Sequence, residues 1–203
     1  PDIEQHRRAE LPISYGSPPK YRFKKAGTEL EELRAASLAE LQSKFQRCHD
    51  AIWEGGRRDP AEAFDEMSKL MFAKLYDERY TARNRHYKFQ VGDEDTPSVV
   101  SARVRDVLYR KARELQRGVF DEDMEVGDEV IFEVVRVLED ISLSQTDLDA
   151  KGRAYEHFVG KVFRGELGQY FTPRVITEFM VGLADPQHEE RVIDPACGSG
   201  GFL

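Results

Sequence analysis

Asp194, Pro195, Gly198, Ser199, Gly200 and Gly201 stand together in DPACGSGGFL, directly after the apolar pair Val192-Ile193. A carboxylate at the end of a short apolar run, followed by three glycines in four residues, suits ligand binding more than bond-making. Open α/β sheets bind ligands at the carboxyl ends of their strands. Glycine lacks Cβ, so the backbone can approach a ligand closely and can take positive φ. Two phosphate-binding patterns are not met. The spacing is not G-x-G-x-x-G, and no Lys-Ser/Thr pair follows the glycines. Taken alone, the glycines are equally compatible with a plain turn.

A second stretch stands upstream, GQYFTPR, Gly168 to Arg174. Pro173 is placed to open the helix RVITEFMVGLAD, whose first turn offers free amides and a positive dipole end to an anion. ERVIDP reads as a short buried strand bounded by turn residues. Of Tyr170 and Phe171, one is expected to be a plain core aromatic, since adjacent residues point apart. Arg174 fits a solvated helix start as well as a ligand contact.

Together the two stretches resemble the N6-adenine DNA methyltransferases, most closely the modification (methylase) subunit of type I restriction-modification systems. The resemblance spans roughly Tyr155 to Leu203, with the GQYFTPR stretch ahead of the glycine loop, as in the gamma class of amino-methyltransferases. It implies S-adenosyl-L-methionine as cofactor. By the same resemblance Gln169, Tyr170, Phe171, Thr172, Pro173, Arg174, Asp194, Gly198, Ser199, Gly200 and Gly201 line the cofactor pocket. Asp194 would accept from the cofactor ammonium, directly or through water. Thr172 and amides near Pro173 would hold its carboxylate, and Gly198 would serve conformation. A cofactor without phosphates needs no phosphate cradle, which agrees with the missing patterns.

The resemblance also implies an Asn-Pro-Pro-aromatic motif that grips a flipped adenine. The only adjacent prolines here are Pro18-Pro19, between Ser17 and Lys20. We therefore expect no catalytic residue in this chain. We further expect an N-terminal fragment of a longer methyltransferase, inactive by itself and weak or silent toward the cofactor. Expected partners are double-stranded DNA, a specificity subunit and a restriction subunit.

These motifs need a scaffold. The 203 residues are 40% hydrophobic and 33% charged, which supports a packed core and argues against wholesale disorder. A net charge of −8 argues against a stand-alone basic nucleic-acid binder while leaving local basic patches open. Two distant cysteines, Cys48 and Cys197, make neither a zinc pattern nor a disulfide framework. Cys197 is expected as a small buried filler. The five histidines show no paired spacing, so no metal site is expected. There is no signal-peptide pattern and no stretch of membrane-spanning length, so a soluble cytoplasmic protein is expected.

Residues 1–36, rich in Pro and Gly, read as a linker or the tail of an upstream domain. Ser37 and Glu40 form a capping-box pattern, ahead of Leu38, Leu41, Phe45, Cys48 and Ile52 at helical spacing, with Gly55-Gly56 as the stop. Asp59-Pro60 opens a second helix with Phe64, Met67, Met71 and Leu75 on one face, widened by Leu70 and Phe72. Residues 81–97 read as an irregular loop. Val100, Val104, Val107/Leu108 and Leu115 mark an amphipathic helix. GDEVIFEVVRVLEDISLS carries strand-like residues at helical period and is read as helix. DLDAKGRAYEHFVGKVFRG is a further helix, with Tyr155, Phe158, Val159, Val162 and Phe163 inward.

The expected fold is mainly α. A helical domain at 37–165 precedes the first strand and turn of a Rossmann-like α/β methyltransferase domain at 166–203. In the helical part, RYTARNRHYKF (Arg79 to Phe89) mixes cations with aromatics. It fits either contact with DNA phosphates and stacked bases, through Arg83, Arg85 and Lys88, or a solvated basic loop on an acidic chain. The leading function is part of a DNA adenine-N6 methyltransferase. The alternatives are a helical module that docks on DNA or a subunit, and an RNA or protein methyltransferase that shares the cofactor fold.

Overall fold

The computed structural model describes residues 21–56, 59–115, 122–162, 172, 174–197 and 200–203. The chain is mainly helical and divides into two compact units, the first ending at Ala154 and the second beginning at Tyr155.

Ser37 starts the first unit's helices. Its Oγ accepts from the Glu40 amide at 3.3 Å while its own backbone is still extended. Helix α1 (Leu38–Glu54) buries Leu41, Phe45, Cys48 and Ile52, as the spacing predicts, and leaves Leu38 half-buried. Glu40 does not complete the capping box. Its carboxylate instead accepts from both terminal nitrogens of Arg34, at 2.8 and 2.5 Å. The helix stops at Gly55, whose amide still bonds Ala51, and Gly56 turns the chain at φ +105°. A Cβ on Gly55 would collide with Val130 Cγ2, so this end of α1 lies against the helix that carries Val130.

Asp59 Oδ1 accepts from the Ala61 and Glu62 amides at 2.8 and 3.2 Å and opens α2 (Pro60–Tyr80). Here the expected core face is corrected. Met67 and Leu70 are buried, but Phe64, Met71 and Phe72 are only half-buried and Leu75 is exposed. The buried face runs instead through Ala63, Glu66, Met67, Lys69, Leu70, Ala73, Lys74, Asp77 and Glu78.

The next helical stretch is α3 (Pro97–Ala102), a π-helical segment (Arg103–Tyr109) and α4 (Arg110–Leu115). Val100, Val104, Leu108 and Ala112 are buried at steps of four, while Leu115 is exposed. A regular α-helix would rotate a four-residue repeat by about 40° per step. The wider π turns cancel that drift and keep all four on one face. Helix α5 (Asp128–Leu138) bears out the helical reading for most of the Val/Ile-rich segment and buries Val130, Ile131, Val134, Val135, Val137 and Leu138, but the end of that segment, Ile141-Ser142, is a strand and not helix. It packs on α1 and α3, while α2 packs on α1 and the π-helical segment.

Two short strands close the unit. β1 (Arg34–Ala35) and β2 (Ile141–Ser142) pair in parallel, Arg34 opposite Ile141 and Ala35 opposite Ser142. Helix α6 (Leu148–Val162) follows and crosses the unit boundary. The expected inward residues Phe158, Val159, Val162 and Phe163 lie outside the described side chains.

In the second unit, α7 (Arg174–Ala184) forms where Pro173 was expected to open it, and its chain leaves through Asp185 at φ 43°. Residues 191–194 are not a strand. They carry no ladder partner, and Ile193 is 88% exposed. An isolated extended segment has no neighbour to satisfy its amides and carbonyls. The expected buried strand is therefore corrected: among the described residues no strand pairs with this run, and Val192 and Ile193 are exposed. Among those residues no helix is long and apolar enough to cross a membrane.

Candidate functional site

The carboxylate before the glycine turn organises the turn. Asp194 Oδ1 accepts from the Ala196 amide at 3.0 Å, which bends the chain through Pro195. The Gly200 amide then bonds the Cys197 carbonyl at 2.8 Å, and the Leu203 amide bonds the Gly200 carbonyl at 3.1 Å. Gly200 has φ +80°, the left-handed region that the glycine pattern anticipates. Cys197 is exposed, which corrects the expectation of a buried filler. Asp194 is half-buried, and its Oδ2 takes no partner among the described residues. Gly201 is half-buried as well.

Of the upstream set, Thr172 is exposed and Arg174 is the first residue of α7. Gln169, Tyr170, Phe171, Pro173, Gly198 and Ser199 lie outside the described residues. The contacts on view tie Asp194 to Ala196 and Cys197 to Gly200, each within the turn itself.

The basic loop of the first unit takes a definite shape. Arg83, Arg85 and Lys88 are all exposed. The aromatics between them are not: Tyr87 and Phe89 are 4% and 2% exposed. They pack inward, so of the loop's aromatic rings only Tyr80 and His86 stay exposed beside its cations. Its backbone is held from several sides. Asp77 Oδ2 accepts from the Lys88 and Phe89 amides at 2.6 and 2.7 Å, and Oδ1 accepts from Thr81 Oγ1 at 2.8 Å. Arg103 donates to the Lys88 and Gln90 carbonyls and meets the Asp95 carboxylate at 2.6 Å. Gln90 stands in for a strand neighbour, accepting from the Phe23 amide and donating to the Phe23 carbonyl, both at 2.7 Å.

Asp77 belongs to a set of carboxylates on α2 whose role composition did not reveal. Glu66 Oε2 accepts from the Glu125 and Val126 amides, and its Oε1 meets Lys69 at 2.8 Å. Glu78 accepts from Ser142 Oγ, the Leu143 amide and the Ser144 amide, at 2.9, 3.0 and 2.8 Å. Lys74 stands 3.2 Å from Glu78 Oε1. Three carboxylates, Glu66 and about three turns on the adjacent Asp77 and Glu78, thus clamp three separate loops. Burial pushes the Glu78 carboxyl up, but Lys74 and the Ser144 and Leu143 amides outweigh it, so it ionises below the usual range. Asp77 goes the other way, because burial outweighs its three donors. The only signal available in sequence was the i, i+3, i+4 recurrence of charge at helical spacing, which ordinarily marks a solvated face. Burial likewise pushes the Cys48 thiol up to about 12 and leaves it unreactive.

Residues 146–203 match the family described as N-6 DNA Methylase. Over 66 residues the chain is 38% identical to the type I restriction enzyme EcoEI methylase subunit of Escherichia coli, covering 28% of this chain and 14% of that protein. Over 58 residues it is 46% identical to the type I restriction enzyme MjaIX methylase subunit of Methanocaldococcus jannaschii, covering 27% and 10%. Over 62 residues it is 44% identical to the type II restriction enzyme and methyltransferase RM.BcgI of Heyndrickxia coagulans, covering 30% and 10%. The chain therefore spans a small part of these relatives. The matched segment takes in α6, α7 and the Asp194–Gly201 turn, and leaves α1 to α5 outside it.

Proposed function

Taking residues 146–203 as a segment of an N-6 DNA methylase, we propose that the chain belongs to a site-specific DNA methyltransferase of a restriction-modification system. Its product would be adenine methylated at N6. In this reading 37–165 is a helical domain and 166–203 the opening of a Rossmann-like cofactor domain, while the described end of 1–36 packs into the helical unit through Phe23, Leu33 and β1, which corrects its reading as a linker. The observation that carries it is the coincidence of the family match with a turn built as a cofactor loop needs, from Asp194 through the left-handed Gly200.

The bound cofactor, S-adenosyl-L-methionine, supplies an electrophilic methyl group. The residues in hand bind and orient. Asp194 commits Oδ1 to the Ala196 amide and keeps Oδ2 for the cofactor ammonium. Gly200 and Gly201 admit the ligand against bare backbone. The first turn of α7, with Thr172 and Pro173 ahead of it, offers amides and a positive dipole end to the cofactor carboxylate. Gln169, Tyr170, Phe171, Arg174, Gly198 and Ser199 complete the pocket by family likeness. Double-stranded DNA, a specificity subunit and a restriction subunit are the proposed partners, in the cytoplasm.

The test uses the whole protein in which this segment sits. Asp194→Ala and Gly200→Val should each weaken S-adenosyl-L-methionine binding by about tenfold or more in calorimetry, the order expected when a charge-assisted hydrogen bond is lost. Arg191→Ala, exposed beside them, should change it less than twofold. Unchanged cofactor affinity in both site variants would remove the reading.

A further inference from the structure

A cleft of about 460 Å³ opens in the first unit, between the last turns of α2, the loop 81–88 and the π-helical segment with the start of α4. One wall is Tyr76 and Tyr80, whose rings lie 4.8 Å apart at 32°. Val107 contributes to the floor. The rim carries Arg85, Lys88 and Lys111, all exposed.

Several cations elsewhere in the unit are held in ion pairs, whereas those on the rim of this cleft are not, among the described residues. Arg34, Lys44, Arg103, Arg105 and Arg113 each meet a carboxylate. Arg85, Lys88 and Lys111 meet none among the described residues. The one carboxylate that lines the cleft, Asp77, is turned to the Lys88 and Phe89 amides and to Thr81. The negative end of α2 is covered too, since Lys25 Nζ donates to the Glu78 and Arg79 carbonyls at 2.6 and 3.2 Å. On a chain of net charge −8, three cations are thus left without neutralisation around one concave surface. Such a surface suits a polyanion.

We infer that this cleft seats the sugar–phosphate backbone of duplex DNA, with Arg85, Lys88 and Lys111 neutralising its phosphates. The inference rests on the proposed action on DNA and adds the place where the helical unit grips it. A duplex is favoured over an unpaired strand because the rim offers three cations within one concave surface, and phosphate contacts are what position a duplex. Tyr80 is taken up by Tyr76, and the Arg79 guanidinium stands 5.8 Å from its ring centre. Tyr80 is still 53% exposed, so a splayed base would have that ring to stack on, whereas phosphate contacts need none.

The experiment measures fluorescence-anisotropy titrations of the full chain with a labelled 30-base-pair duplex and the matching single strand, across a salt series. The triple variant Arg85→Ala, Lys88→Ala, Lys111→Ala should lose about ten- to a hundredfold in duplex affinity. The slope of log K against log salt should fall in magnitude by about 3, since each phosphate contact contributes roughly 0.9. A control triple, Arg47→Ala, Arg136→Ala, Arg153→Ala, removes the same charge from exposed positions elsewhere and should stay within about threefold of the parent. Equal losses in the two triples would overturn the inference, because general charge would then explain binding. Preferential single-strand binding that disappears in Tyr80→Ala would overturn it as well. Methyl transfer by the whole protein is followed in parallel. If that activity is present and the cleft triple binds duplex normally, the cleft assignment fails alone. If methyl transfer is absent while the cleft triple loses the duplex, the enzyme reading fails alone.

Discussion

The two units bury opposite kinds of side chain. From Phe23 to Ala154 most apolar residues are gathered inside, and α2 takes Glu66, Lys69, Lys74, Asp77 and Glu78 in with them. Beyond Tyr155, α7 and its following segment hold Val175, Ile176, Phe179, Met180, Leu183, Val192 and Ile193 exposed, while Thr177 is buried. The first unit can afford ionised groups in its interior because each carboxylate meets several donors from a distant loop. The second shows its apolar stripe to water. The first unit thus exposes only scattered apolar residues such as Leu30, Leu115 and Leu148, while the described part of the second exposes a contiguous set on one helix. A single stability value for the chain would mix the two.

Removing one clamp is the strongest way to break this contrast. Glu78→Ala leaves the Leu143 and Ser144 amides, Ser142 Oγ and the Lys74 ammonium without their acceptor. We expect a loss of about 3–5 kcal/mol in urea unfolding followed by far-ultraviolet circular dichroism. The same carboxylate sets an acid limit. Its pKa is lower folded than unfolded, so its contribution is full above the ordinary glutamate range. That contribution fades as pH falls through the lowered folded value. The parent should therefore lose stability on acidification more steeply than Glu78→Ala. A difference under about 1 kcal/mol between the two at neutral pH would mean the clamps are ornamental.

A smaller effect tests the packing beside the clamps. Gly55→Ala drives a methyl into Val130 Cγ2 and should cost about 1–3 kcal/mol, read as a lower urea midpoint with unchanged slope. A neutral outcome would show that α1 and α5 can slide apart at that end. The smallest effect belongs to the second unit. Phe179→Ser, on an exposed side chain, should shift the main unfolding transition by no more than about 0.5 kcal/mol. A larger loss would show the stripe to be covered in solution and would weaken the contrast drawn above.

These differences also mark what the sequence could and could not disclose. Ser37 and Asp59 announced α1 and α2 because a cap is a local hydrogen bond, complete within four residues. Gly200 announced its own backbone conformation for the same reason. The buried face of α2 was hidden, since charged residues at helical spacing look solvated until the loops at 88–89, 125–126 and 142–144 supply donors. Those partners lie 11 to 66 residues away in the chain. The segment 191–194 failed as a strand on similar grounds, because an apolar run specifies an extended chain while only neighbouring strands make a sheet. The loop cations Arg83, Arg85 and Lys88 were legible as exposed. The inward turn of Tyr87 and Phe89 was not, since adjacent alternation alone does not say which side faces the core.

The pairing of Arg34 with Ile141, reinforced where the Ala36 amide reaches Thr146 Oγ1 at 3.0 Å, ties the opening of the first unit to its close. During synthesis on the ribosome, α1 and α2 emerge long before the residues that fasten them. The nascent unit thus remains unlatched until Thr146 has cleared the exit tunnel, and a translational pause before that point would hold it open.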